Sequence, residues 1–127
     1  MGFTEVVVGM APPMWVHLLS RNVIGNRLSN YYIQTGSLVS DADKLVNQRF
    51  VDEVKSDDQV HGRAAELIHQ YNTLPFIARA DAKLKSNAHV LATFTPEALD
   101  KVVESIAGVE FQTRTTLIIE QMKERKK

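Results

Sequence analysis

The residue best suited to chemistry is Glu5, a carboxylate within residues 3–8, whose other members are mainly apolar and β-branched. Removing a carboxylate from water costs free energy, which a partner must offset unless the group serves a purpose such as proton transfer. The segment therefore marks Glu5 as a candidate general acid/base. The alternative is that Glu5 lies at the end of the segment and faces the solvent.

The histidines are weaker candidates, because metal sites need ligands that converge at defined spacings. His17, His61, His69 and His89 form no helical pair three or four residues apart. We expect each at the surface or at its boundary, and we predict no metal site. The sequence contains no glycine-rich dinucleotide motif, no P-loop, no Gly-x-Ser-x-Gly and no His-Glu-x-x-His. It also contains no cysteine, which excludes thiolate catalysis and disulfides.

Composition indicates one globular unit of 127 residues with 44% hydrophobic residues. Fifteen basic and fifteen acidic side chains leave a formal charge of zero, so no overall field attracts nucleic acid. No apolar run reaches the roughly 20 residues that a membrane-spanning helix needs. We therefore predict neither a nucleic-acid partner nor a membrane span.

Two segments have the character of buried strands: residues 3–8, ended by Gly9, and residues 50–54. Two short strands are too few for an independently stable sheet. These strands would need neighbours from elsewhere, so the chain is expected to begin in the middle of a larger fold.

Helices are predicted for most of the remainder. Pro12 and Pro13 favour the start of a helix that includes Leu19, and a second helix after Gly25 is expected to stop at Gly36. The later helices are predicted from Asp41 through Val46, from the capping box of Ser56 and Gln59 to Asn72, from Pro75 to about Leu91, from Thr95 through Ile106, and after Gly108 through Met122.

Residues 2–15 resemble the segment of the crotonase superfamily in which a glutamate on a short apolar stretch precedes glycine, proline and a helix. The likeness is greatest to the mitochondrial-type Δ3,Δ2-enoyl-CoA isomerases, which carry proline and tryptophan where hydratases carry a glycine-rich turn. Pro12, Pro13 and Trp15 stand at those positions. The resemblance continues through residues 24–27, 51–54, 78–83 and 121–126, although Gln48 and Arg49 replace the family's glycine before the second strand.

This resemblance implies an α/β fold, the C-terminal portion of a crotonase (ClpP/crotonase-like) fold, mostly helical here with two short strands. Residues 1–92 would form part of the crotonase core. Residues 93–127 would form a C-terminal helical trimerisation region, in a protein that assembles as a homotrimer. The apolar stripes of that region fit an intramolecular core as well as a subunit interface.

The resemblance also implies a reaction. Glu5 would move a proton from C2 of a 3-enoyl-CoA to C4, shifting the double bond to the 2-trans position in fatty-acid β-oxidation. Coenzyme A belongs to the acyl-CoA substrate, so no separate cofactor is expected. Met10, Pro13 and Trp15 would line the acyl pocket, and Lys83 would approach a CoA phosphate.

Three alternatives remain open from the residues. Lys83 and its neighbour Lys85 also fit a solvated helix face. The protein could be a hydratase fragment, or a non-catalytic association module of a crotonase-family oligomer. In the family, the backbone donors that bind the oxyanion precede the glutamate, and only four residues precede Glu5. We therefore expect a truncated chain with little activity alone, located by resemblance in the mitochondrial matrix.

Overall fold

The computed structural model describes residues 1–125, which are mostly helical. A 3-10 helix at Glu5–Val8 comes first. It is followed by the helices α1 (Met14–Thr35), α2 (Ala42–Asn47), α3 (Asp57–Asn72), α4 (Phe76–Leu91), α5 (Pro96–Ala107) and α6 (Val109–Glu124). α4 packs on α1 and α5 on α6, while α1 and α6 both contact the 3-10 helix. The 3-10 helix is therefore the meeting point of the two ends of the described chain.

The strand predicted at residues 3–8 is wrong. Gly9, with a φ of 72°, turns the backbone so that its N–H donates to the Val6 carbonyl at 3.3 Å. The Met10 N–H likewise donates to the Glu5 carbonyl at 2.9 Å, which closes a helical turn. A β-branched run favours a strand only where a neighbouring strand can pair with it. Within residues 1–125 the single β-bridge joins Gly2 to Leu38.

The strand predicted at residues 50–54 is also wrong, because no strand of the described chain runs beside it. Phe50 instead packs its ring edge-on against Tyr32 of α1, with 5.1 Å between the ring centroids. The Tyr32 hydroxyl donates to Gln48 Oε1 at 2.6 Å. Arg49 adopts a left-handed φ of 61°. Side-chain packing on α1 thus takes the place of sheet pairing here.

Helix α1 contains both of the first two predicted helices, joined across a kink. Gly25 has φ 79° and ψ 162°, a combination that essentially only glycine adopts. The hydroxyls of Ser20 and Ser29, both buried, lie 2.6 Å apart across the kink. Gly36 ends the helix as predicted, with a φ of 62° and an N–H that donates to the Tyr32 carbonyl.

Most other helix ends follow the sequence signals. Asp41 Oδ1 accepts a hydrogen bond from the Lys44 amide at 2.7 Å, and Thr95 Oγ1 accepts one from the Ala98 amide at 3.2 Å. Ser56 precedes α3 as predicted, but its hydroxyl makes no capping hydrogen bond. The predicted helix boundary is confirmed there, whereas the predicted capping box does not form.

The core is small for a chain of this length. Its buried members come from α1, α4 and the segment after α1: Ile24, Tyr32, Ile33, Val39 and Val90. The accessible surface is 9794 Å², against roughly 6,800 Å² for a compact monomer of this mass. Many large apolar side chains consequently face the solvent. No described helix is long and apolar enough to cross a bilayer.

Candidate functional site

Glu5 is the first residue of the 3-10 helix, which is held between two glycines. Val7 packs so closely on Gly36, at the end of α1, that a Cβ there would overlap its methyl group. On the other side, a Cβ on Gly9 would lie 2.8 Å from Cγ of Glu110, at the start of α6. The absence of both side chains lets α1 and α6 contact the turn that carries the candidate base.

The carboxylate of Glu5 is only partly accessible, and its two oxygens differ. Oε2 is buried and has no hydrogen-bond partner within residues 1–125. Buried polar atoms are paired in the great majority of cases, and an unpaired one costs free energy. The structure therefore does not support the alternative in which the carboxylate simply faces the solvent. It holds an acceptor oxygen that a proton donor, such as a substrate carbon acid, could satisfy.

A cavity of about 450 Å³ lies between the segment carrying Glu5 and the corner that joins α5 to α6. It is lined by Val6, Gly9, Met10 and Ala11 on one side and by Ser105, Gly108, Val109 and Glu110 on the other. The Ala11 amide donates to Ser105 Oγ at 2.9 Å across it. Met10, one of the predicted acyl-pocket residues, thus lies beside a cavity next to the turn of Glu5.

The other two predicted acyl-pocket residues lie elsewhere. Pro13 is the residue before α1, and Trp15 is in the first turn of that helix. The Trp15 ring stacks on Phe94, with 4.7 Å between centroids and an interplanar angle of 15°. Phe94 lines a second, almost wholly apolar cavity of about 460 Å³ between α1 and α4. The structure therefore does not bring Met10 and Trp15 into one cavity.

The two lysines of α4 have different surroundings. Lys85 Nζ lies 2.8 Å from Asp81 Oδ2 one turn earlier, so its charge is paired. Lys83 makes no ion pair within the described residues, and it lines the second cavity. It also lines a third cavity of about 660 Å³ together with Tyr71 and Arg79. Of the two, Lys83 is the one whose charge is available to an anion.

The histidines lie at the surface or its boundary, as expected. His89 Nε2 is 3.3 Å from the side-chain nitrogen of Asn22, an exposed contact between α4 and α1. Among residues 1–125, no three His, Asp or Glu side chains come close enough together to hold a metal ion.

Sequence reasoning missed Ser105, Glu110 and Phe94. Ser105 and Glu110 lie in ordinary amphipathic helices, and their relevance comes from contacts with residues roughly a hundred positions earlier. Phe94 lies in the turn after α4. The glycine at position 9 was the one available signal, since a glycine after an apolar run indicates a left-handed turn or a close contact.

The predicted division between residues 92 and 93 falls in the short link between α4 and α5. Nothing in the structure tests whether the segment that follows is a trimerisation region, so this stays a prediction. Residues 126 and 127 of that segment, and with them the last residue of the family resemblance, lie outside the described residues.

No family model matches this sequence. The mouse protein named enoyl-CoA delta isomerase 1, mitochondrial, is 27% identical over 98% of this chain and 44% of its own length. The human protein of the same name is 29% identical over 98% of this chain and 42% of its own length. This chain thus spans a little under half the length of the curated relatives that it matches.

The crystal structure of human mitochondrial delta3-delta2-enoyl-CoA isomerase superposes with a TM-score of 0.85 and 27% identity. The match covers 100% of this chain and 50% of the human chain. It confirms the predicted crotonase fold class, even though both strands were predicted wrongly. In fold and in sequence, the chain is therefore similar over essentially its whole length to about half of a mitochondrial enoyl-CoA isomerase.

Proposed function

We propose that this protein is an enoyl-CoA isomerase that moves the double bond of a 3-enoyl-CoA to the 2-trans position in fatty-acid β-oxidation. The observation that carries the proposal is the buried, unpaired Oε2 of Glu5, at the position that resembles the family's catalytic glutamate. The names of the matched relatives support an isomerase over a hydratase.

In this proposal Glu5 acts as both base and acid. Its carboxylate removes a proton from C2, which leaves a dienolate, and the same carboxyl group then returns a proton to C4. Val6 and Met10 lie on either side of the turn that follows Glu5 and supply apolar surroundings. A site closed to water keeps the transferred proton on the carboxyl group until it is returned to the substrate.

The substrate contacts are assigned to the two cavities. Met10 would contact the acyl chain near C2. Trp15, whose ring stacks on Phe94 of the apolar cavity between α1 and α4, would contact its more distant part together with the nearby Pro13. Lys83, at the rim of that cavity, would bind a phosphate of coenzyme A as a charged donor. Coenzyme A arrives with the substrate, so the reaction requires no separate cofactor.

The dienolate requires hydrogen-bond donors at the thioester oxygen, and one such donor contributes roughly 100- to 1,000-fold to the rate in comparable enzymes. In the family that this chain resembles, those backbone donors precede the glutamate. We therefore assign to residues 1–127 the part of the site that carries the base.

The test is the conversion of 3-enoyl-CoA to 2-enoyl-CoA by the purified protein, followed by the absorbance of the conjugated thioester. Glu5→Gln keeps the shape of the side chain but cannot accept the proton, so turnover should fall to background. Glu120→Gln, an exposed position on α6, serves as the matched control and should retain full turnover. Equal turnover in the two variants would disprove the role of Glu5. No turnover by the unsubstituted protein would exclude isomerase activity for it.

We further propose that the protein acts as a homotrimer in the mitochondrial matrix. Two observations support this proposal: the matched relatives are named as mitochondrial proteins, and α5 carries large apolar side chains that are exposed to solvent. Fractionation of cells, with protease protection of intact mitochondria and of mitoplasts, tests the location. Protein recovered outside the inner membrane would contradict it.

A second candidate function is association without turnover, in which the chain docks on subunits of a crotonase-type oligomer. It is favoured by the accessible surface of 9794 Å², roughly 3,000 Å² more than a compact monomer of this mass exposes. The two candidate functions can be distinguished by measuring oligomeric state and turnover on one preparation. Stable oligomers that lack Glu5-dependent turnover would favour the association module.

A further inference from the structure

We infer that Ser105, near the end of α5, is a positioning residue for Glu5. The inference rests on the proposed function of Glu5 and goes beyond it, because it assigns a role in the reaction to the corner between α5 and α6. Ser105 lines the cavity beside the turn but makes no hydrogen bond with Glu5 Oε2. It acts through the backbone of the turn that follows Glu5.

The amides of three consecutive residues, Gly9 to Ala11, each donate a hydrogen bond. The Gly9 amide donates to the Val6 carbonyl at 3.3 Å, and the Met10 amide donates to the Glu5 carbonyl at 2.9 Å. The next amide, that of Ala11, donates to Ser105 Oγ at 2.9 Å. Ser105 therefore takes up the first amide after the turn, which has no backbone acceptor in the turn itself.

The corner between α5 and α6 is held by its own hydrogen bond and packs against the turn. The Gly108 amide donates to the Ser105 carbonyl at 3.3 Å and caps the C-terminal end of α5, whose last residue is Ala107. Glu110, two residues later, packs against Gly9 with no room for a Cβ between them. Hence the corner contacts the turn at two points, Gly9 and Ala11, that lie two residues apart.

The Glu5 carboxylate has one oxygen, Oε2, that is buried and accepts no hydrogen bond from the described residues. No described residue donates a hydrogen bond to Glu5 Oε2, so no such bond fixes the direction of that oxygen. Its place depends on the backbone of the 3-10 helix and on packing. A loss of order in that backbone moves the base directly, and a misplacement of 1 Å can cost roughly 100-fold in rate.

The kinetic test compares Ser105→Ala, which removes the acceptor, with Ser105→Thr, which keeps a hydroxyl. We expect kcat for isomerisation to fall about tenfold in Ser105→Ala with KM unchanged, and to recover in Ser105→Thr. Ser86→Ala, an exposed serine on α4, is the matched control and should leave kcat unchanged. A fall in thermal stability with kcat intact would show that Ser105 is merely structural and would overturn the inference.

A second measurement does not depend on turnover. In Ser105→Ala, hydrogen exchange by NMR should become at least about tenfold faster at the amides of both Ala11 and Met10, because the whole turn loosens. Faster exchange at Ala11 alone would overturn the inference. If the unsubstituted protein lacks turnover, the proposed function of Glu5 fails. Unchanged hydrogen exchange at Met10 in Ser105→Ala would separately show that Ser105 does not stabilise the turn.

Discussion

Two glutamates of this chain have opposite surroundings, and the contrast explains what sets Glu5 apart. Glu53 lies between two cations, with Oε1 2.7 Å from Arg63 Nε and Oε2 3.3 Å from Lys55 Nζ. The hydrogen bond from Arg63 is the main cause that lowers the pKa of Glu53 below its ordinary value of 4.5. Within residues 1–125, Glu5 makes no ion pair, and one of its oxygens is buried without a donor.

The lowered pKa of Glu53 predicts a specific loss of stability in acid. Its folded-state pKa lies below its unfolded-state pKa, so its contribution is complete above about 4.5 and disappears as the pH falls through the folded pKa. Thermal unfolding followed by circular dichroism tests this. Between pH 7 and pH values below about 4.5, the Tm of Glu53→Gln should drop less than the Tm of the unsubstituted protein.

Glu120→Gln is the control for this prediction, because Glu120 is exposed and makes no ion pair within the described residues. It should lose Tm in acid as the unsubstituted protein does. If Glu53→Gln and Glu120→Gln have the same pH profile, the ion pair of Glu53 with Arg63 contributes nothing to acid stability.

At the site, the candidate base stands out in the sequence, whereas the residues that contact its turn do not. Glu5 stands out locally, because a charge among valines is visible in the sequence itself. Ser105 is one polar residue of an amphipathic helix, and its hydrogen bond joins residues 94 positions apart. Trp15 was grouped with Met10 by their nearness in sequence, whereas α1 carries it to Phe94 instead. Local chemistry is thus visible in the sequence, while tertiary contacts require the fold.

At the scale of elements, the helices were predicted well because their signals are local. Apolar periodicity, a capping residue and a stopping glycine lie within one helix length, as for α5 between Thr95 and Gly108. Strand formation depends on a partner strand, which can lie anywhere in the fold. Residues 3–8 and 50–54 have β-branched content but lack such a partner among the described residues, so their prediction failed.

The helix caps make a matched pair of predictions. Thr95→Ala removes the hydroxyl that accepts the Ala98 amide, so the free energy of unfolding should fall by about 1 kcal/mol. Ser56→Ala removes a hydroxyl that makes no capping hydrogen bond, and should change stability by less than about 0.5 kcal/mol. Urea unfolding of both variants measures the difference. Equal losses would mean that Ser56 caps α3 in solution.

At the scale of the whole molecule, the exposed apolar surface is the dominant feature. Helix α5 illustrates it, since Leu99, Val103 and Ile106 are 50%, 64% and 41% exposed. Contiguous apolar surface of this kind marks an interaction site in soluble proteins. With a formal charge of zero, the chain also lacks the net repulsion that keeps proteins apart.

The apolar face of α5 predicts self-association that a single charge disrupts. Val103→Glu places a carboxylate on the most exposed of its three large apolar side chains, so the sedimentation coefficient should shift from that of an oligomer to that of a monomer. Val60→Glu, on α3, is the matched control and should leave the oligomer intact. An unsubstituted protein that sediments as a monomer at all concentrations would contradict the prediction.

The hydrogen bond from Ala11 to Ser105 has a consequence for the order in which the protein is made. Ala11, at the end of the turn that carries Glu5, is synthesised 94 residues before its acceptor Ser105, and adding those residues takes about 5–20 s at typical rates. Closing so long a loop costs conformational entropy that only the folded corner of α5 and α6 can offset. The candidate base is thus translated well before the residues that hold its turn, and it reaches its working position only after they have folded.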